Sequence, residues 1–238
     1  MQNLYCLNCG DTTEKKFCSN CGQKTDTHRL TPKHFFFHDI VHGVWHLDRG
    51  ILFTLKEAII RLGQAALDFI KWKRIKYYNV FYLSLLLIGL NLIIAKLFVK
   101  FNENANLEET GFEKVLSQNV KVFIFLFVPV FAYLSSWIFK KMKLNIAEHF
   151  IPAGITLLRI LIINLIANIL HIFYQSLFVS ALIFPIAVLI SIALVYYDFG
   201  RGYYSRGTII FKSILLPLLA LIFALLLILG GELIMRNL

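Results

Sequence analysis

Charge is scarce in this chain: 16% of its 238 residues are charged, against 58% that are hydrophobic. No water-soluble fold of this size needs so much apolar surface, so the excess is expected to face a bilayer. Familiar catalytic signatures are missing too. There is no Walker glycine loop, no Gly-x-Ser-x-Gly elbow and no His-Glu-x-x-His pair, which excludes the hydrolase classes built on them. Cysteine does not occur after Cys21, and the segment from Met1 to Leu30 holds no apolar run of the length a secretory signal needs. The N-terminus is therefore expected to stay in the cytosol.

Acidic residues are also few, 14 against 24 Lys and Arg, for a net charge of +10. Such a balance can indicate nucleic acid. Here the basic residues fall beside hydrophobic stretches, where positive charge sets topology or meets anionic lipid. The lipid bilayer is the partner this pattern favours, and nucleic acid is the lesser alternative.

What is present divides into three zones: a cysteine-rich head over residues 1–30, an amphipathic basic stretch over 31–79, and a hydrophobic remainder over 80–238. The expected fold is an all-α integral membrane helical bundle with interfacial amphipathic helices and a small N-terminal zinc ribbon. About five transmembrane helices are predicted, each near the roughly 20 residues a span requires: Val80–Val99, Val120–Phe139, Ile151–Ile172, Leu177–Tyr197 and Ile209–Leu233. Pro185 could kink the fourth, and four spans with one re-entrant segment is the fallback. Lys71, Lys73, Arg74 and Lys76 precede the first span, Lys140, Lys141 and Lys143 follow the second, and Arg201 and Arg206 follow the fourth, whereas Glu103, Glu108, Glu109 and Glu113 follow the first. The positive-inside rule then places the N-terminus in the cytosol and the C-terminus outside.

Two helices are predicted in the basic stretch. Thr31 and Pro32 offer an N-cap and a first-turn proline. A second run over Leu52–Lys73 sets Leu55, Ile59, Leu62, Ala66 and Phe69 at helical spacing. Such helices either lie flat on a membrane or pack on the bundle.

The strongest motif is Cys6-Leu7-Asn8-Cys9-Gly10 followed by Cys18-Ser19-Asn20-Cys21-Gly22. Two Cys-x-x-Cys knuckles, each with a glycine that permits the tight turn, can converge four thiolates on one tetrahedral zinc. A pair of disulfides is the alternative, which a reducing cytosol disfavours. With four protein ligands the shell is closed, so the zinc is structural, and it folds a head too short for its own core.

His34, His38, His42 and His46 recur every four residues beside Asp39 and Asp48. On a helix each step advances about 40°, so His38, His42 and His46 could share a second metal ion. The alternative is an interfacial helix using histidine as an amphipathic residue. In the third span Asn164, Asn168 and His171 form one stripe, and Arg159 lies on the same helix. The stripe faces either a hydrated path or neighbouring helices as hydrogen-bonding glue. Ala147-Glu148-His149 either meets the histidine helix or caps the third span.

Several motifs together resemble the bacterial domain-of-unknown-function family 3667: Phe17-Cys18-Ser19-Asn20-Cys21-Gly22-Gln23, then His28-Arg29-Leu30-Thr31, then His46-Leu47-Asp48-Arg49-Gly50, Phe53-Thr54-Leu55-Lys56-Glu57, and Lys73-Arg74 to Tyr77. Ala147-Glu148-His149 and the tyrosines from Tyr196 to Tyr204 are similar to its later segments. The resemblance implies an N-terminal zinc ribbon ligated by Cys6, Cys9, Cys18 and Cys21 ahead of several transmembrane helices, and it supplies no reaction. The expected function is that of a non-enzymatic, multi-pass protein of the bacterial inner membrane. It would be an accessory subunit that presents the ribbon to a membrane-protein partner complex. A small transporter or channel using the polar stripe is the alternative, followed by a histidine-rich metal-dependent membrane enzyme.

Overall fold

The computed structural model describes residues 5–25, 31, 50–101, 126–173 and 182–236. Among these the protein is all-helical with no strand. The histidines at 34, 38, 42 and 46, the acidic loop after the first apolar helix and the start of the fourth expected span lie outside the described residues.

The head is one small unit used twice. Tyr5 bridges Thr12, and twelve residues on Phe17 bridges Lys24. Within each unit the first cysteine's N–H donates across the turn, Cys6 to the Asp11 carbonyl at 2.7 Å and Cys18 to the Gln23 carbonyl at 2.8 Å. Gly10 and Gly22 close the turns with φ of 80° and 76°, a region where a side chain would be strained.

The helices are α1 Gly50–Ile60, α2 Leu62–Ile70, α3 Val80–Phe101, α4 Leu126–Ile138, α5 Ile146–Phe173, α6 Phe184–Gly200 and α7 Arg206–Arg236, with a 3-10 turn at Lys140–Met142 before α5. Within α5 and α7, Ile146–Leu170 and Arg206–Phe223 are long and apolar enough to cross a membrane, while Val80–Ile94, α4 and α6 are apolar over shorter lengths. The start of α5 is set locally. Glu148 accepts from the Asn145 N–H at 2.8 Å, and the Asn145 side chain accepts from the Glu148 N–H at 3.0 Å, a reciprocal capping box. Pro185 sits in the first turn of α6, directly after a π-helical step at residues 182–183.

The run expected as one helix over Leu52–Lys73 is two. The break falls at Leu62, whose φ is 42°, and the bundle caps both sides of it. Arg159 of α5 donates from Nη1 to the carbonyls of Ala58 at 3.2 Å and Ile59 at 2.7 Å, the C-terminal end of α1. Asp198 of α6 accepts the Gln64 N–H at 2.9 Å, in the first turn of α2. Helix ends leave such carbonyls and N–H groups without internal partners, and a cation at the C-terminus with an anion at the N-terminus matches both helix dipoles.

The hairpin therefore packs on the bundle. Its buried face matches the predicted stripe only in part: Ala66 is buried and Leu55 and Phe69 pack against the core, but Ile59 is 47% exposed and Ala58, Gly63 and Ala65 are buried instead. Small residues win because they let backbones approach closely, the usual solution where helices pack without water. The Gly63 α-carbon lies so near the Phe199 backbone and the Val195 carbonyl that no Cβ fits between them.

Around this contact an aromatic core joins the remaining helices. Tyr196 of α6 stacks at 5.7 Å on Phe139, which follows α4, and Phe199 meets both Phe139 at 6.1 Å and His149 of α5 at 6.3 Å. α3 packs along α5, and α7 along α6.

Candidate metal centre and its dock

The doubled turn of the head brings four sulfurs together. Cys6 Sγ lies 3.5 Å from Cys21 Sγ, and Cys9 Sγ lies 3.6 Å from Cys18 Sγ; all four atoms fall within 4.8 Å of one another. A disulfide would bring two of them to about 2.05 Å, and all four cysteines are free. A tetrahedral ion with metal–sulfur bonds of about 2.3 Å sets its ligands roughly 3.8 Å apart, close to the spacing found. The four cysteines can hold a metal ion.

The thiols do not ionise independently. Burial pushes the Cys21 thiol up, but hydrogen bonds from the Asn8 side chain, the Gln23 backbone and the thiols of Cys6 and Cys9 together bring it down to about 6. For Cys9 the Asp11 backbone pulls down, while burial and the Cys18, Cys21 and Cys6 thiols push up, to about 12. One thiolate forms readily and holds its neighbour protonated. A bound cation removes that conflict, because it stabilises every thiolate at once.

The head is fastened to the helices by a residue that sequence reasoning passed over. Gln23, next to the second knuckle and buried, donates from Nε2 to the Trp72 carbonyl at 2.7 Å. Trp72 follows the end of α2 with a φ of 68°, a rare conformation for a large residue, which places its carbonyl at the foot of the hairpin. That foot is tied to the segment entering α3: the Tyr78 N–H donates to Thr54 Oγ1 at 2.7 Å, and the Tyr77 hydroxyl donates to Glu57 at 3.2 Å. Glu57 and Asp68 both pair with Arg61, at 2.9 and 2.7 Å.

No family model, curated protein or solved structure matches the chain.

The polar stripe of α5 finds its partner on α3. Asn164 and Asn168 each donate from Nδ2 to Asn91 Oδ1, at 3.1 and 3.2 Å. Asn91 in turn donates to the carbonyls of Leu87 at 2.8 Å and Leu161 at 3.2 Å. His171 lies on the same helix, and its side chain is outside the described residues. Asn91 was not singled out from sequence, although a lone asparagine in an apolar helix is the signal that could have found it. Glu148 belongs to the α5 cap, and His149 shares a buried 2.7 Å hydrogen bond with Ser135 of α4.

A consequence can be measured. Asn168→Leu removes one interhelical bond and should cost about 0.6 to 2 kcal/mol, whereas Asn91→Leu removes the shared acceptor and the bond to Leu161 and should cost roughly two to three times as much. Thermal unfolding in mild detergent reads the difference. Equal costs for the two would contradict a shared acceptor.

Proposed function

We propose that the protein is a non-enzymatic, multi-pass protein of the bacterial inner membrane. Its cytosolic zinc ribbon, fixed to the bundle through Gln23, serves as the docking head of an accessory subunit in a larger membrane complex. Placement in the domain-of-unknown-function family 3667, from the motifs between Phe17 and Tyr77, belongs to the same proposal. Zinc is the ion of this reading, since four thiolates at tetrahedral spacing make a closed structural site with no position for substrate.

One observation carries the membrane reading: the helices turn large apolar side chains outward. Leu85, Leu86, Ile93, Ile190, Phe211, Ile222 and Leu226 are between 49% and 65% exposed, on faces where a soluble protein would be polar. Five apolar helices then act as five spans. The basic segments gather at one end. The Lys141 N–H donates to the Tyr204 hydroxyl at 3.0 Å, joining the turn after α4 to the turn after α6, and Gln64 joins the hairpin to Asp198. Positive charge at one end supports a cytosolic head.

The asparagine cluster favours the scaffold reading over a transport path, because its amides are engaged with one another between α3 and α5. Topology is tested with single cysteines and an impermeant maleimide in intact cells. Asn106→Cys should be labelled, while Lys141→Cys and Arg206→Cys should react only after lysis. Labelling at 141 in intact cells would overturn the five-span arrangement. For the docking role, a membrane partner recovered in mild detergent should be lost with Cys18→Ser, and its undiminished recovery would remove the ribbon from that role.

A further inference from the structure

Two ammonium groups share one tyrosine ring at the end of the bundle where the turns meet. Lys212 of α7 places Nζ 5.1 Å from the Tyr204 ring centroid, and Lys141 places its own at 5.8 Å. Lys212 also donates to the Ile138 carbonyl at 2.5 Å, and Lys140 and Arg206 are exposed on the same two turns. The ion pairs among the described residues engage Arg61, Lys73 and Arg201, and none includes Lys140, Lys141, Arg206 or Lys212. A tyrosine face attracts a cation but does not neutralise two held this close. No acidic side chain among the described residues pairs with them.

The surroundings point to a counter-charge. On α7 Lys212 is flanked by outward-facing apolar residues, Ile210 at 49%, Phe211 at 65% and Ile214 at 48% exposure, and α4 presents Tyr133 at 70% and Trp137 at 59%. Cations at a helix end with exposed apolar and aromatic side chains beside them suit a ligand that carries phosphate at one end and hydrocarbon at the other. Basic pockets between membrane helices bind lipid headgroups in this way, and tyrosine and tryptophan favour the interface. We infer that Lys141, Lys212 and Tyr204 form a binding site for the headgroup of an anionic phospholipid, with its acyl chains along α7 and α4. The inference rests on the membrane reading above.

The test uses the full-length protein in mild detergent, with native mass spectrometry reading lipid adducts after addition of phosphatidylglycerol or phosphatidylcholine. The wild-type protein should retain phosphatidylglycerol preferentially. Lys141→Gln with Lys212→Gln should weaken that retention about thirty-fold, at about 1 kcal/mol for each cation in contact with the headgroup. Lys71→Gln with Lys76→Gln removes the same charge from the same end and should leave most of the retention. Equal loss in both pairs would show a diffuse basic surface and overturn the site. Displacement of the adduct by millimolar inorganic phosphate alone would show a phosphate site and overturn the lipid assignment. Lys212→Gln also breaks the bond to Ile138, so Lys141→Glu, on an exposed side chain, provides a variant that keeps that bond and gives up only the ring contact with Tyr204; unchanged retention in it would likewise overturn the site. The membrane reading is tested separately by alkaline extraction of membranes. Protein that stays in the pellet but shows no lipid preference would refute the site and leave that reading standing.

Discussion

Cys18→Ser should unfold the head and leave the helices folded. Cys18 is buried at the centre of the second knuckle, and its sulfur is one of four that the ion needs. The bridges, the hydrogen bonds of the turns and the Gln23 tie to Trp72 do not make an apolar core that could replace that centre, and Tyr5 and Phe17 lie on the outside. The folding free energy of such a domain is largely its metal-binding free energy, on the order of 10 kcal/mol. Removing one ligand therefore exceeds anything the bridges supply. The expected result is loss of one equivalent of bound metal ion and protease cleavage confined to the segment from Met1 to Leu30, with the helices intact. Because Gln23 no longer reaches the Trp72 carbonyl, Trp72 fluorescence should shift as well. Unfolding of the helices together with the head would contradict this, since it would make the head a folding requirement of the bundle.

The head was legible because its information is local. Cysteine type, spacing and the following glycine are all visible between Cys6 and Gly22, and the structure brings those four sulfurs together. The apolar helices were legible for the same reason, as runs of composition. What sequence spacing could not reveal was the choice of partner. The stripe from Leu55 to Phe69 fits one amphipathic helix, yet the chain breaks at Leu62 because Arg159 and Asp198, roughly 100 and 134 residues away, cap the two new helix ends. Asn164 and Asn168 were visible as a polar face, but their acceptor, Asn91, lies 73 and 77 residues away on α3. Gln23 looks like an ordinary polar residue after a knuckle, and only the folded chain brings the Trp72 carbonyl to it. Each miss is a long-range contact that overrides a local preference.

The closeness of the hairpin to α6 sets up the other large effect. Gly63→Ala adds one carbon where only backbone stands, at the Phe199 N and Cα and the Val195 carbonyl. A flexible side chain could rotate away from it; a helix backbone cannot, so α2 must lift off α6. That movement strains or breaks the two Gln64 bonds to Asp198 and the Arg159 bonds to the end of α1. Overpacking alone costs about 1 to 3 kcal/mol, and each buried polar group left without its partner adds about 1 to 3 kcal/mol more. A loss of roughly 4 to 6 kcal/mol is expected, read as a lower unfolding temperature in detergent and as protease sensitivity at the hairpin. Gly89→Ala supplies the contrast. Gly89 sits in α3 with nothing within 4 Å of an added Cβ, so the same change should be neutral or stabilise by up to about 1 kcal/mol through helix propensity. The two substitutions are chemically identical and opposite in expected sign. If Gly63→Ala were tolerated as well as Gly89→Ala, α2 would not rest on α6 at backbone contact, and the trans capping of the hairpin by Arg159 and Asp198 would lose its geometric basis.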